Sequence, residues 1–530
     1  MASTGNSPPA ASTWIRRTSQ RLDHARSLSL RAATAARDDL AARRSALVEQ
    51  ARRLSWTGES TEVRLIRRLI DQAITEGAIA SVVTALEDGL AISLAAPAAR
   101  IRALQALANA ASKSARPPIE ERLVDIARRE PDMSDTVAWV YASRAAKGRT
   151  RTKLAQQAVT AAGRANEPGP LIAALDVADQ PSASNLVHMA VAHVAHARAG
   201  VELGAGTFDS SAVAASCDSL SPEGARKIAR ALSPIPAPPS ANTAPFHLAA
   251  CARLLARAAA RLPDDEAAPV CSSVFRLEKE HADLWLDEAE RDTMIAHLEG
   301  PDLEAALADP WSGSTGSLAE RLAALGRPRE ARALLEQTGG GWYTARHALR
   351  AAAHAPKLRD LARRSVAALD PPARGRLCGE TPFAAVQVLG AEAVLRFADE
   401  AGDETGHYVR IVALARVATA LPEPQRSEAA ARAVSAYRSD PDPDALCELV
   451  RCSPWMPEQE AAWLLFDSLA RRDTVKSFEG SFAGYSGVAA LSPLIARAAG
   501  DPGLLATSEA VVEAEQWSRR SGAEQPTSSK

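Results

Sequence analysis

The segment Gly339–Arg350, GGGWYTARHALR, contains the residues best suited to holding a ligand. Three glycines precede an expected helix start, where the first backbone amides point outward and favour an anion. Trp342, Arg346 and Arg350 follow at i, i+4 and i+8, on one helical face, with Tyr343 beside them. An arginine fork next to an indole suits a carboxylate, a phosphate or a partner peptide. Trp342, Tyr343, Arg346 and Arg350 are therefore the expected ligand- or partner-binding residues. The competing reading is an ordinary inter-helix loop with Trp342 buried beneath it.

Other chemistry is weaker. HMAVAHVAH puts His188, His193 and His196 on one expected helix. His193 and His196 are about 60° apart around it, but zinc needs a third ligand, and no HExxH or nearby carboxylate completes a site. No metal and no cofactor are expected. FEGSFAGYSG (Phe478–Gly487) interleaves glycine with three aromatics, as a recognition loop or an irregular connection would. Gly204–Gly206 lacks the lysine of a phosphate-binding loop, and no GxxxxGK[ST] occurs. No serine, cysteine or aspartate has a base partner at a motif spacing, so no catalytic residue is assigned.

These residues must be placed by helices. Hydrophobic residues make up 46% of the 530, aromatics only 4%, and alanine supplies much of the rest. Alanine favours helix and lets helices approach closely. No stretch alternates with period two. Arg100–Asp132 recurs without a gap as Arg410–Asp442, with twelve identical positions that include Leu104 and Leu414. A second match, Ala155–Leu175 over Ala430–Val450, shifts the offset from 310 to 275. The difference of 35 is a helical-repeat period. The expected fold is all-α, an α-solenoid of stacked antiparallel helix pairs.

The expected organisation runs from a disordered tail at 1–12 to a basic helical arm or cap at 13–56. A first repeat half follows at 57–232, a Pro-rich linker or long loop at 233–245, a second half at 246–518 and a tail at 519–530. Net charge is −2, so no global field draws the chain to nucleic acid. Charge is blocky instead: residues 262–310 carry fourteen acids against three bases, and 318–378 twelve bases against five acids. The blocks either face and neutralise each other or form two separate patches. Six scattered cysteines without a CxxC, no signal pattern and no apolar run of membrane length give a cytoplasmic expectation, with reduced, buried thiols and no membrane insertion.

LAERLAALGRPREARALLEQTGGGWYTARHALRAAA (Leu318–Ala353) looks like a tetratricopeptide-type helix pair, with Leu325-Gly326 closing the first helix and Arg327-Pro328 turning. Together with the unit Arg410–Ala436 and the final stretch Ala489–Trp517, it resembles the superstructure-forming helical repeats of bacterial STAND-type NTPases and related conflict proteins. The NTPase or effector domain of those proteins has no counterpart here. The resemblance implies a non-enzymatic scaffold or sensor that binds a protein or peptide in bacterial defence or signalling. Two alternatives stay open: a nucleic-acid-binding HEAT-like protein, and an enzyme whose site is assembled from distant helices.

Overall fold

The computed structural model describes residues 96–165, 167–202, 210–235, 244–281, 286–311, 313–402, 407–470 and 487–523. The basic arm, Gly204–Gly206 and all of Phe478–Gly487 but its last residue lie outside them. The described residues are helical throughout, with short turns and no strand. Many of the breaks follow the expected punctuation. Pro97, Pro168, Pro222, Pro328, Pro371 and Pro382 each stand within the first two positions of a helix. There a missing amide costs nothing and the fixed φ is already helical.

The recurring unit has one local structure in both copies. Pro97–Ala110 and Arg116–Arg129 pack on each other in the first copy, and Tyr408–Ala418 is followed by Gln425–Ser439 in the same helix–turn–helix order in the second. Ile101 and Ile411 are fully buried, as are Leu104 and Leu414. The equivalent arginines Arg122 and Arg432 each reach an acid on another helix, Glu509 at 2.6 Å and Asp399 at 2.7 Å. Repeat identity thus records shared core positions and a shared cross-helix pair.

The chain forms two compact units. One comprises the residues up to Arg129 together with those from Tyr437 onward; the other is Glu130–Ala436. Within the first, Pro97–Ala110 packs on the last helix, Gly487–Ala523. Arg122 fastens the contact by bonding Ser508 and Glu509, and the Ser112 amide donates to Asp501 at 3.0 Å. A strictly linear array, in which repeats touch only their sequence neighbours, does not bring these segments together. The last helix also runs to Ala523, past the tail boundary expected at 518, and kinks at Gly500, where φ is 60°. The Pro-rich segment is described only up to Ile235, and helix resumes at Ala244.

In the second unit, helices pack mainly on neighbours close in sequence. Thr136–Ala145 lies on Gly148–Ala165, and Thr315–Ala324 lies on both Pro328–Gln337 and Gly341–His354. Gln180–Glu202 covers Ala244–Ala259, whose residues 249–252, 254–256, 258 and 259 are all buried. Its two arginines, Arg253 and Arg257, pair with Glu290 and Asp287 rather than facing open solvent. The charge blocks meet across adjacent helices: Arg321 pairs with Glu299 at 2.8 Å, Arg327 with Glu304 at 2.5 Å and Arg346 with Glu288 at 2.9 Å. The facing arrangement is the one realised at these three pairs.

The cysteines are free, and all but half-buried Cys447 are buried. Burial pushes Cys217, Cys251, Cys271, Cys378 and Cys452 up to about 12. Thiolate is the reactive form, so these five should resist a thiol reagent at pH 8 until the protein unfolds. Counting the thiols modified by an aromatic disulfide, with and without denaturant, checks this. Native modification of more than Cys447 would contradict the burial.

Candidate functional site

The site is built on the first two turns of Gly341–His354. The preceding helix, Pro328–Gln337, ends at Thr338, whose hydroxyl lies 2.7 Å from that of Thr344 and ties the two helices together. Gly339, Gly340 and Gly341 then take φ values of 79°, 86° and 82°. Three consecutive left-handed residues are accessible at low cost only to glycine, and they reverse the chain sharply into the new helix.

Trp342 and Arg346 share a face as their spacing requires, with the guanidinium carbon 5.7 Å from the indole centroid. Arg376, from Pro371–Glu380, lies over the same ring, also at 5.7 Å. Tyr343 is 40% exposed and its ring meets Trp342 edge-on at 6.1 Å. The Tyr343 hydroxyl donates to Glu288 Oε1 at 2.5 Å, and Arg346 Nη1 donates to the same oxygen at 2.9 Å. These donors, the phenol first, hold the Glu288 carboxyl below its ordinary range. Burial, and then the bond to Glu288, raise the Tyr343 phenol to about 12.

Arg350 is brought to a different partner. Its Nη1 lies 3.9 Å from Glu320, which also bonds His347 Nδ1 at 2.6 Å. His347 is almost fully buried, and its ring rests on the bare Cα of Gly316, where any Cβ would collide with the imidazole. His347 Nε2, Trp342 Nε1 and Arg346 Nε are all buried with no hydrogen-bond partner. Three such atoms on six consecutive residues are a concentration that demands an explanation, because an unsatisfied buried donor costs about 1–3 kcal/mol. The four expected residues therefore do converge, in two groups. Trp342, Tyr343 and Arg346 gather at Glu288, while Arg350 stands one turn on at Glu320.

The chain matches no family model and no curated protein. What the site can do must come from its own geometry. Glu288, Glu320, Gly316 and Arg376 complete it, and none was singled out by sequence spacing, since each lies on another helix. His347 sat inside the motif but carried no recognisable partner there.

Of the other candidates, the histidine trio is the one that lies within the described residues. His188 and His196 are exposed, and His193 is half-buried on the same helix, Gln180–Glu202. Among the described residues, no three His, Cys, Asp or Glu side chains are grouped to hold a metal. Nor, among them, is any helix long and apolar enough to cross a membrane.

Proposed function

We propose that this chain is a non-enzymatic α-solenoid scaffold or sensor that captures a protein or peptide partner. On this reading it is a stack of antiparallel helix pairs of about 35 residues. It acts in the cytoplasm, in the manner of the helical repeats of bacterial defence and signalling proteins that it resembles. The packing of the second unit on sequence neighbours supports this, as does the helix–turn–helix order shared by Arg100–Asp132 and Arg410–Asp442. The observation that carries the binding role is the Trp342–Tyr343–Arg346 cluster. A partly exposed tyrosine and an indole between two guanidiniums are the residue types enriched where binding energy concentrates.

Nucleic-acid binding is the less favoured reading. The arginines that would form a basic stripe in 318–378 are spent in part on acids of 262–310.

The test is an affinity capture with wild type and with the double variant Arg346→Ala, Arg350→Ala. Capture of the partner should fall roughly tenfold or more. The melting temperature should move little, because half-exposed ion pairs contribute under about 1 kcal/mol. Unchanged capture would remove this face from the binding role.

A further inference from the structure

We infer that Glu288 is an internal stand-in for a carboxylate of an acidic peptide partner, and that the Trp342–Tyr343–Arg346 cluster binds that partner in its place. The inference rests on the partner-binding reading above and names the partner's chemistry.

Glu288 is held by the cluster but is not needed where it stands. It is the first residue of Glu288–Ala296, and the start of that helix is already secured without it. Asp287 and Glu290 form a reciprocal cap, with bonds of 2.8 and 3.0 Å between each side chain and the other's amide. Arg253 and Arg257 hold those two acids from behind. The Glu288 side chain is left 57% exposed, with Tyr343 and Arg346 as its partners. A side chain so placed can swing away without dismantling the helix it belongs to.

Its grip is also incomplete. One oxygen, Oε1, takes both donors, and Arg346 is engaged at Nη1 alone. A guanidinium is built to bind a carboxylate through two parallel bonds. Here Nε is left buried without an acceptor, and so is the indole N–H beside it. A partner carboxylate offers two oxygens and about four lone pairs, enough to engage Arg346 at two nitrogens. Two more cations stand close by with weak commitments. Arg350 reaches Glu320 only at 3.9 Å, and Arg376 is 67% exposed and pairs with Glu380 of its own helix. A peptide with successive acidic side chains could meet them in turn.

Carboxylate is favoured over phosphate because a carboxylate is what the cluster already accommodates.

The experiment is a fluorescence-anisotropy titration of fluorescein-labelled hexaglutamate at low salt. Wild type, Glu288→Gln and the double variant Arg346→Ala, Arg350→Ala are compared, each after a melting-temperature check. Glu288→Gln removes the competitor's charge and should tighten binding roughly 2- to 5-fold, the scale of an exposed ion pair. The arginine variant should weaken it roughly tenfold. Tyr343→Phe, which keeps the ring and deletes one donor, should weaken binding whether or not Glu288→Gln proves stable. If Glu288→Gln weakens binding as the arginine variant does, Glu288 belongs to the recognition surface; the stand-in idea falls and the partner-binding face survives. If neither variant changes binding, both readings fail. No binding to any of the proteins, or tighter binding of a matched phosphoserine hexapeptide, overturns the carboxylate assignment.

Discussion

Leu414→Ala is expected to cost roughly 2–5 kcal/mol and to damage the second unit locally before it damages it everywhere. Leu414 is fully buried on Tyr408–Ala418, and that helix packs on Pro371–Glu380, Pro382–Leu389 and Ala391–Asp399. Ala418, one turn on along the same face, is buried as well. In a stack where most contacts are short-range, the loss spreads to adjacent helices first. Hydrogen exchange should therefore show lost protection across 371–399 and 408–436, with 136–165 nearly unchanged. Equal loss in both stretches would show that Glu130–Ala436 opens as a single cooperative body, and would count against a stacked array.

The helix that carries Leu414 was legible in the sequence because repetition and helical periodicity report on the same thing. Ile411, Leu414 and Ala418 fall at i, i+3 and i+7, and the equivalent first-copy residues Ile101, Leu104 and Ala108 are buried in the same way. The stacking of Arg346 on Trp342 was legible for a similar reason, since one helix fixes both. What could not be read were the groups that complete the cluster. Glu288 is 58 positions before Arg346, and Gly316 is 31 before the histidine ring it cradles. No period links them, because their meeting is set by how one helix pair lies on the next. The contact of Pro97–Ala110 with Gly487–Ala523 is a stronger case of the same limit. Both copies of the recurring unit present a similar apolar stripe, so the sequence shows which faces must be covered but not which distant helix covers them. The charge blocks were intermediate: their opposition was visible, and only the structure shows Arg321, Arg327 and Arg346 on Glu299, Glu304 and Glu288.

The second large effect is expected at a residue that no motif marked. Asp176 closes the short turn Ala174–Asp176, and its carboxylate is almost fully buried. It accepts from the Ser221 amide at 3.0 Å and the Ser221 hydroxyl at 2.7 Å, and it pairs with Arg144. Ser221 in turn caps Pro222–Ala231, with Oγ accepting from the Gly224 amide at 3.1 Å. Gly224 leaves the space that the carboxylate fills; a Cβ there would collide with Asp176 Oδ1. One turn along, Lys227 donates to the Leu175 and Ala178 carbonyls at 2.8 Å each, sealing the same junction from the other side. A single carboxylate thus joins the Thr136–Ala145 helix, which carries Arg144, to a helix start more than seventy residues later. Asp176→Ala deletes the acceptor, strands the Ser221 amide and hydroxyl, and leaves the exposed Arg144 guanidinium to solvent. Stranding a buried donor costs about 1–3 kcal/mol, so losing the acceptor of both Ser221 donors should cost roughly 2–5 kcal/mol. Asp176→Asn keeps the shape and one acceptor oxygen but loses the charge, so its cost should be smaller, about 1–3 kcal/mol. Denaturant unfolding of the two variants measures the difference. Equal and small losses, under about 0.5 kcal/mol for both, would mean that the junction is held by Lys227 and apolar packing alone.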